Sequence, residues 1–330
     1  MNKRDFRIVF MGTPEFAVAS LDKLKNEGYT ISAVVTAPDK PAGRGKKLQP
    51  SAIKQYALAN GLMVLQPEKL KAEVFLDELR SLQADLFVVV AFRMLPEVVW
   101  NMPEKGTINL HASLLPQYRG AAPINRAVMN GETVTGLTTF ILTHEIDTGQ
   151  IIAQVEQPIG FTENAGDVHD RMMVAGAELL AQTVESIMNN TYRAVSQTGD
   201  VRSENELKHA PKIFKEDCLI NWHQPGLTIY NQIRGLSPHP AAYTVIQGEG
   251  VEPYQLKIFS STFESFETGN DDVSKLSPPG TVIISERKSM RIATKDGWIN
   301  VKEVQQAGRK RLSVGDFLRG LPFCSNLKAR

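Results

Sequence analysis

The sequence predicts an α/β protein: a doubly wound, mostly parallel sheet with helices on both faces, followed by a smaller β-barrel. Three observations predict it. Residues 86–91 are apolar throughout, and a run of that length marks a strand buried on both faces, the usual centre of a parallel sheet. Strand-like and helix-like segments alternate through the first half of the chain. In the last third the pattern changes to short β-like pieces separated by turns, which is how a small barrel reads.

At 330 residues the chain is long for one domain, and two are expected. The boundaries are placed at 1–190 for the first, 191–207 for a polar linker around Thr198-Gly199-Asp200, and 208–330 for the second. Apolar residues make up 42% of the chain and charged residues 22%, enough for a sizeable core. The formal charge of +1 gives no overall attraction for nucleic acid, so any such partner has to meet a local patch. From Thr191 onward there are 19 Lys and Arg against 15 Asp and Glu, which makes that part +4 and the front −3. Two cysteines, Cys218 and Cys324, suit a reducing compartment and offer no disulfide framework. No signal-like region follows Met1, and no apolar run reaches the length of a membrane span. The expected location is the cytoplasm.

Taken in order, residues 6–11 form an apolar strand that ends at Gly12. Thr13 is the expected N-cap of the next helix, with Pro14 in its first position and Glu15 favourable to its dipole. Phe16, Ala17, Ser20, Leu21 and Leu24 share one helical face. The Gly-x-Gly-x-x-Gly fingerprint is missing here, so neither a nicotinamide nor a flavin cofactor is expected. Residues 31–35 give the second strand. The turn-rich loop 36–49 then carries Lys40, Arg44, Lys46 and Lys47 against the single acid Asp39, with Gly43 and Gly45 freeing its backbone. Loops this long tend to be functional, and these cations could follow a phosphate backbone or simply face solvent.

Ser51 is the expected cap of a helix that stops at Gly61. A short strand at 63–65, a helix at 72–82 and the buried strand 86–91 follow. Residues 134–142 and 151–155 read as an antiparallel pair, and a helix runs over 167–188. Beyond the linker, a helix at 227–236 accompanies strand-like pieces at 256–260, 280–284, 290–293 and 298–301. Arg309, Lys310 and Arg311 form the sharpest basic cluster of this part.

The stretch that suggests chemistry is 107–123, Thr-Ile-Asn-Leu-His-Ala-Ser-Leu-Leu-Pro-Gln-Tyr-Arg-Gly-Ala-Ala-Pro. Ile108 and Leu110 alternate with Asn109 and His111, so in a strand the amide and the imidazole emerge on one face. That pairing suits stabilisation of an oxyanion in acyl transfer. Taken alone, the pair is explained more simply by a strand end whose polar groups satisfy nearby backbone, because buried polar residues are usually just hydrogen-bonded. Pro123 fits the first position of a helix. A second polar motif, Asp147-Thr148-Gly149, precedes the strand at 151.

Together these segments resemble the signature of the folate-dependent formyltransferases: Asn109, the spaced His111, the turn Ser113-Leu114-Leu115-Pro116 and the later Asp147-Thr148-Gly149. The chain departs from the pattern at Ala91-Phe92-Arg93, where relatives carry Ala-Tyr-Gly lining a pterin pocket. The resemblance implies a Rossmann-like catalytic domain and an OB-like C-terminal barrel. It implies 10-formyltetrahydrofolate as formyl donor, with Ser113, Leu114, Leu115 and Pro116 at the folate. Asn109 and a protonated His111 would stabilise the charge on the formyl oxygen. Asp147 would hold the imidazolium and take up the amine proton. No metal is implied.

The basic loop and the β-rich tail favour tRNA among the possible acceptors, and the resemblance implies initiator methionyl-tRNA, with Lys40, Arg44, Lys46 and Lys47 near its acceptor end and Arg309, Lys310 and Arg311 on a second surface. A monomer is the simpler expectation for so bulky an acceptor. A sugar nucleotide or glycinamide ribonucleotide acceptor, a formyl-folate hydrolase, and a non-catalytic RNA-binding protein on the same scaffold remain open at this point.

Overall fold

In a computed structural model, the chain is described over residues 2–42, 47–197, 207–249, 251–266, 277–321 and 327–330. In chain order the first elements are β1 (Arg7–Gly12), α1 (Glu15–Asn26), β2 (Thr30–Val35), β3 (Lys40–Ala42), β4 (Lys47–Gln49), α2 (Ala52–Ala59), β5 (Val64–Leu65), α3 (Glu73–Ser81), β6 (Leu86–Val90), α4 (Glu97–Trp100) and β7 (Thr107–His111). Then come β8 (Arg119–Gly120), α5 (Pro123–Met129), β9 (Val134–Ile141), β10 (Ile151–Pro158), α6 (Ala165–Met188) and β11 (His209–Ala210). The chain ends with α7 (Gly226–Leu236), β12 (Ala242–Gly248), β13 (Val251–Ser265), β14 (Val282–Ser285), β15 (Ser289–Ala293), β16 (Gly297–Gln306), β17 (Leu312–Ser313), α8 (Val314–Arg319) and β18 (Lys328–Ala329). Two compact units result.

The first unit comprises residues 1–120, 134–158 and 169–209. Its sheet has the order β10-β9-β7-β6-β1-β2-β5. β5, β2, β1, β6 and β7 run parallel, and β9 and β10 add antiparallel edge strands. All five residues of β6 are buried, as its unbroken apolar sequence requires of a central strand. One face of the sheet packs Val9, Met11, Phe87 and Val89 against Leu76 and Leu79 of α3. On the other face, a Cβ built on Gly176 of α6 would stand 3.0 Å from Leu110 Cδ2, so the missing side chain lets the helix approach closely.

Two local expectations change. Thr13 does not cap α1; Pro14 occupies the N-cap with ψ 176° and no side-chain cap bond, an extended backbone that starts the helix at Glu15. The loop 36–49 has ladder arms: Lys40, Pro41 and Ala42 pair with Gln49, Leu48 and Lys47. The Ser51 cap holds, its Oγ accepting the Lys54 N–H at 3.2 Å.

The second unit comprises residues 121–133, 159–168 and 210–330. It takes in two pieces from before residue 190, and polar anchors explain why. Asn125 Nδ2 donates to Gly235 O at 2.7 Å. Arg234, 6% exposed, donates to Asn231 Oδ1 at 2.8 Å and Glu163 O at 3.1 Å. Its burial holds the guanidinium below its ordinary range, and these carbonyl and amide acceptors compensate the lost hydration. The antiparallel sheet runs β14-β15-β16-β13-β12-β18, with β17 on β16. It nearly closes on itself, because Val282 N–H donates to Leu327 O at 3.1 Å and Ala329 N–H to Gly280 O at 2.8 Å. Ile246, Leu256, Ile258, Ile292, Ile299 and Val304 fill the interior. Trp222 sits among them with its indole N–H on Thr244 Oγ1 at 3.0 Å. Among the described residues, no helix is long and apolar enough to cross a membrane.

Candidate active site

The carboxyl ends of β1, β2, β6 and β7 open at one sheet edge, where ligands of such folds sit. At that edge β7 presents Asn109 and His111 on one face, with Ile108 and Leu110 buried on the other. The half-buried Asn109 side chain makes no hydrogen bond with another described residue, so no described residue engages its amide N–H donors. His111 is buried at 6% exposure. Its Nε2 lies 2.9 Å from Tyr118 O. A carbonyl only accepts, so Nε2 carries the proton, and Nδ1 is the nitrogen turned towards Asp147.

Asp147 stands on the loop between β9 and β10, with Oδ2 3.8 Å from His111 Nδ1. The same oxygen accepts the Gly120 N–H at 2.9 Å. Residues 118–120 therefore touch both titratable side chains. Tyr118 (φ 60°) and Asp147 (φ 55°) lie in the left-handed region, which non-glycine residues occupy mainly where their surroundings enforce it. Gly149 is pressed against β9; a Cβ there would fall 1.6 Å from Ile141 O. Gln197 braces the loop, its Nε2 donating to Asp147 O at 3.0 Å and Gly149 O at 2.7 Å. Its Oε1 accepts from Arg119 Nε at 3.2 Å and Nη2 at 2.6 Å.

The turn after His111 is fixed to the neighbouring strands. Thr138 Oγ1 donates to Ser113 O at 2.7 Å and accepts the Leu115 N–H at 3.1 Å. Gln154 Nε2 donates to Leu115 O at 2.9 Å. Ser113 Oγ donates to Gln117 O at 2.6 Å. Leu114 lies on Gly136, where a Cβ would stand 2.4 Å from Leu114 Cδ2. Leu115 is buried, while Leu114 and Pro116 are half-buried.

Arg93 reaches back to the segment that follows β5. Its guanidinium donates to Pro67 O and, at 3.1 Å, to Glu68 O. The one left-handed residue of 91–96 is Ala91, with φ 48°.

The structure sets His111 beside Asp147 with Asn109 on the same strand, and ties residues 113–116 to Thr138 and Gln154. Of the basic set in the first unit, Lys40 is exposed on β3 and Lys47 opens β4, while Arg44 and Lys46 lie outside the described residues. In the second unit, Arg309 and Lys310 are exposed on the turn after β16. Arg311 pairs with Glu303 and lies over the Phe259 ring, 4.4 Å from its centroid, so part of its charge is already answered. His144 is exposed, and His169 pairs with Asp170 at 2.9 Å. Among the described residues, no group of three or more His, Cys, Asp or Glu side chains could hold a metal ion. Sequence reasoning missed Gln197, Arg119, Thr138 and Gln154. Each acts on residues at least 16 positions away, and no local pattern announces such bonds.

Comparison with known proteins bears on the whole chain. A family profile described as "Formyl transferase" matches residues 6–184, and one described as "Formyl transferase, C-terminal domain" matches residues 212–322. The methionyl-tRNA formyltransferase of Bacteroides thetaiotaomicron is 51% identical over 330 residues, covering 99% of each chain. That of Phocaeicola vulgatus is 54% identical over 331 residues, again covering 99% of each. Among solved structures, the N-formyltransferase of Helicobacter canadensis with folinic acid and dTDP-3-aminofucose aligns with a TM-score of 0.62 at 22% identity, covering 91% of this chain and 99% of that one.

The bracing of the turn is testable. Thr138→Val keeps the side-chain shape but leaves the Ser113 carbonyl and the Leu115 N–H without a buried partner. Unfolding in denaturant should show a loss of roughly 1–3 kcal/mol, the usual penalty for such orphaned groups. An unchanged midpoint would mean that the turn is not held by this hydroxyl.

Proposed function

The chain belongs to the formyl transferase family, and from that membership we propose that Asn109, His111 and Asp147 carry out the transfer. The activity is transfer of a formyl group to the amino group of methionyl-tRNA. Relatives of that name, identical at about half of all positions along the full chain, support it. In this reading the donor is 10-formyltetrahydrofolate and the acceptor is the initiator tRNA. The product is N-formylmethionyl-tRNA, and the enzyme works as a monomer in the cytoplasm. Folinic acid in the Helicobacter canadensis relative supports a folate donor.

The reaction asks little of a base. A free α-amino group titrates near about 7.7–8.0, so a useful neutral fraction exists without assistance. Its nitrogen attacks the formyl carbon, and negative charge gathers on the formyl oxygen. The open N–H groups of Asn109 suit that oxygen. So does the Nδ1 edge of His111 when protonated, since at 3.8 Å the Asp147 carboxylate balances its charge without capturing the proton outright. With one Asp147 oxygen held by Gly120, the other is left for the proton leaving the amine. Collapse of the intermediate breaks the bond to N10 of the folate, and that nitrogen takes up a proton. The turn 113–116 leaves the catalytic strand at the ligand edge of the sheet, which favours it as the folate contact.

The observation that carries this reading is the juxtaposition of His111 and Asp147, with Asn109 two residues before the histidine on the same strand face. An assay with the formyl donor and aminoacylated initiator tRNA, following N-formylmethionine, tests it. His111→Ala should lower turnover about a hundredfold to a thousandfold, the usual range for loss of one oxyanion-type contact, and Asp147→Asn about a hundredfold to ten-thousandfold, the range for a lost general base, with folate binding largely kept. Near-normal turnover in either variant would remove that residue from the mechanism.

The basic loop supplies the grip on tRNA in this reading. Replacing Arg44, Lys46 and Lys47 together by Ala should weaken tRNA use and flatten its salt dependence, by somewhat under about one in log–log slope per lost phosphate contact. A small methionine ester should react as before. Equal impairment with tRNA and ester would place the loop in the catalytic pocket instead.

A further inference from the structure

We propose that Gln197 is a positioning residue for Asp147, working from a segment that the sequence presents as a plain linker. This rests on the reading of Asp147 as the proton acceptor. Gln197 is 5% exposed, and its amide is fully used. The nitrogen donates to the carbonyls of Asp147 (3.0 Å) and Gly149 (2.7 Å), and the oxygen accepts twice from Arg119 (3.2 and 2.6 Å). The oxygen faces only donors and the nitrogen only acceptors, so the orientation of the amide is settled by its partners.

The clamp grips both ends of Asp147-Thr148-Gly149. Asp147 is left-handed at φ 55°, a conformation that aspartate tolerates better than most residues but that still costs energy unless neighbours hold it. Gly120 N–H restrains the carboxylate, and Gln197 restrains the backbone that carries it. Arg119, at the other end of the clamp, lies between Tyr118, which holds His111, and Gly120, which holds Asp147. One amide thus links the loop bearing the acid to the backbone bearing on the imidazole.

A purely structural anchor for residues 191–197 has no need of this amide. Val195 and Ile151 already exchange two backbone hydrogen bonds at 2.8 Å. The bonds that Gln197 adds fall instead on the catalytic loop and on Arg119.

The test uses Gln197→Glu and Gln197→Ala, each in the wild-type and the Asp147→Asn backgrounds of the full chain. Q197E keeps the size and the acceptor for Arg119 but loses both donors and sets a carboxylate against two carbonyl oxygens. In the wild-type background kcat should fall about 10–100-fold, the scale of an ångström-sized misplacement, with KM for folate nearly constant. In the Asp147→Asn background the same change should cost under about threefold, because the group it positions is gone and the effects do not add. Equal losses in both backgrounds, or full turnover of Q197E, would overturn the inference while leaving the role of Asp147 intact. Normal turnover of Asp147→Asn alone would instead remove the reading on which it rests. Should Q197A fail to fold, the pH profile of kcat for Q197E decides. A displaced profile supports positioning, and a profile merely lowered in height, the mark of a partly misfolded population, overturns it.

Discussion

Three consecutive residues, Tyr118 to Gly120, hold together two side chains that come from separate elements. Tyr118 offers its carbonyl to His111, Gly120 its N–H to Asp147, and Arg119 its guanidinium to the amide beneath the Asp147 loop. Hydrogen bonds to ionised groups are the stronger kind, and they are stronger still where water is largely excluded. With His111 and Asp147 side chains at 7% and 13% exposure, these bonds set where each group stands. The spacing of 3.8 Å follows from them rather than from direct bonding between the pair.

Everything beneath that backbone serves to fix its ends. β7 is pinned by Ile108 and Leu110 in the core, and α6 closes on Leu110 through the space left by Gly176. The antiparallel pair β9 and β10 adds what a purely parallel sheet lacks: the Thr138 and Gln154 side chains that bind the 113–116 turn, and the short connection from which Asp147 projects. The parallel strands supply the shared edge, and the antiparallel ones supply the second carrier of function beside it.

How much of this was legible in the sequence depended on range. β6 could be read because a strand buried on both faces is apolar at every position, and the polar face of β7 because alternation is local. Ser51 could be read as a cap for the same reason. Thr13 misled, because Pro14 accepts an extended ψ as readily as a helical one. The sequence pattern marks β13 only over 256–260, whereas it spans Val251–Ser265; its flanks are largely polar, and their strand character comes from pairing with β12 and β16. Asn109, His111 and Asp147 are candidates that a motif singles out. Gln197 could not be found that way: its partners lie 48, 50 and 78 residues distant, and only the folded chain defines them.

In the proposed mechanism Asn109 and the Nδ1 edge of His111 face the formyl oxygen while Asp147 faces the attacking amine. A crystal structure of the protein with a non-transferable 10-formyl folate analogue, carbon replacing N10, tests this most directly. The formyl oxygen should lie within hydrogen-bond reach of Asn109 Nδ2, about 3 Å, on the side of His111 that faces Asp147. A formyl group held elsewhere, with the Asn109 amide and His111 Nδ1 both out of contact, would contradict it.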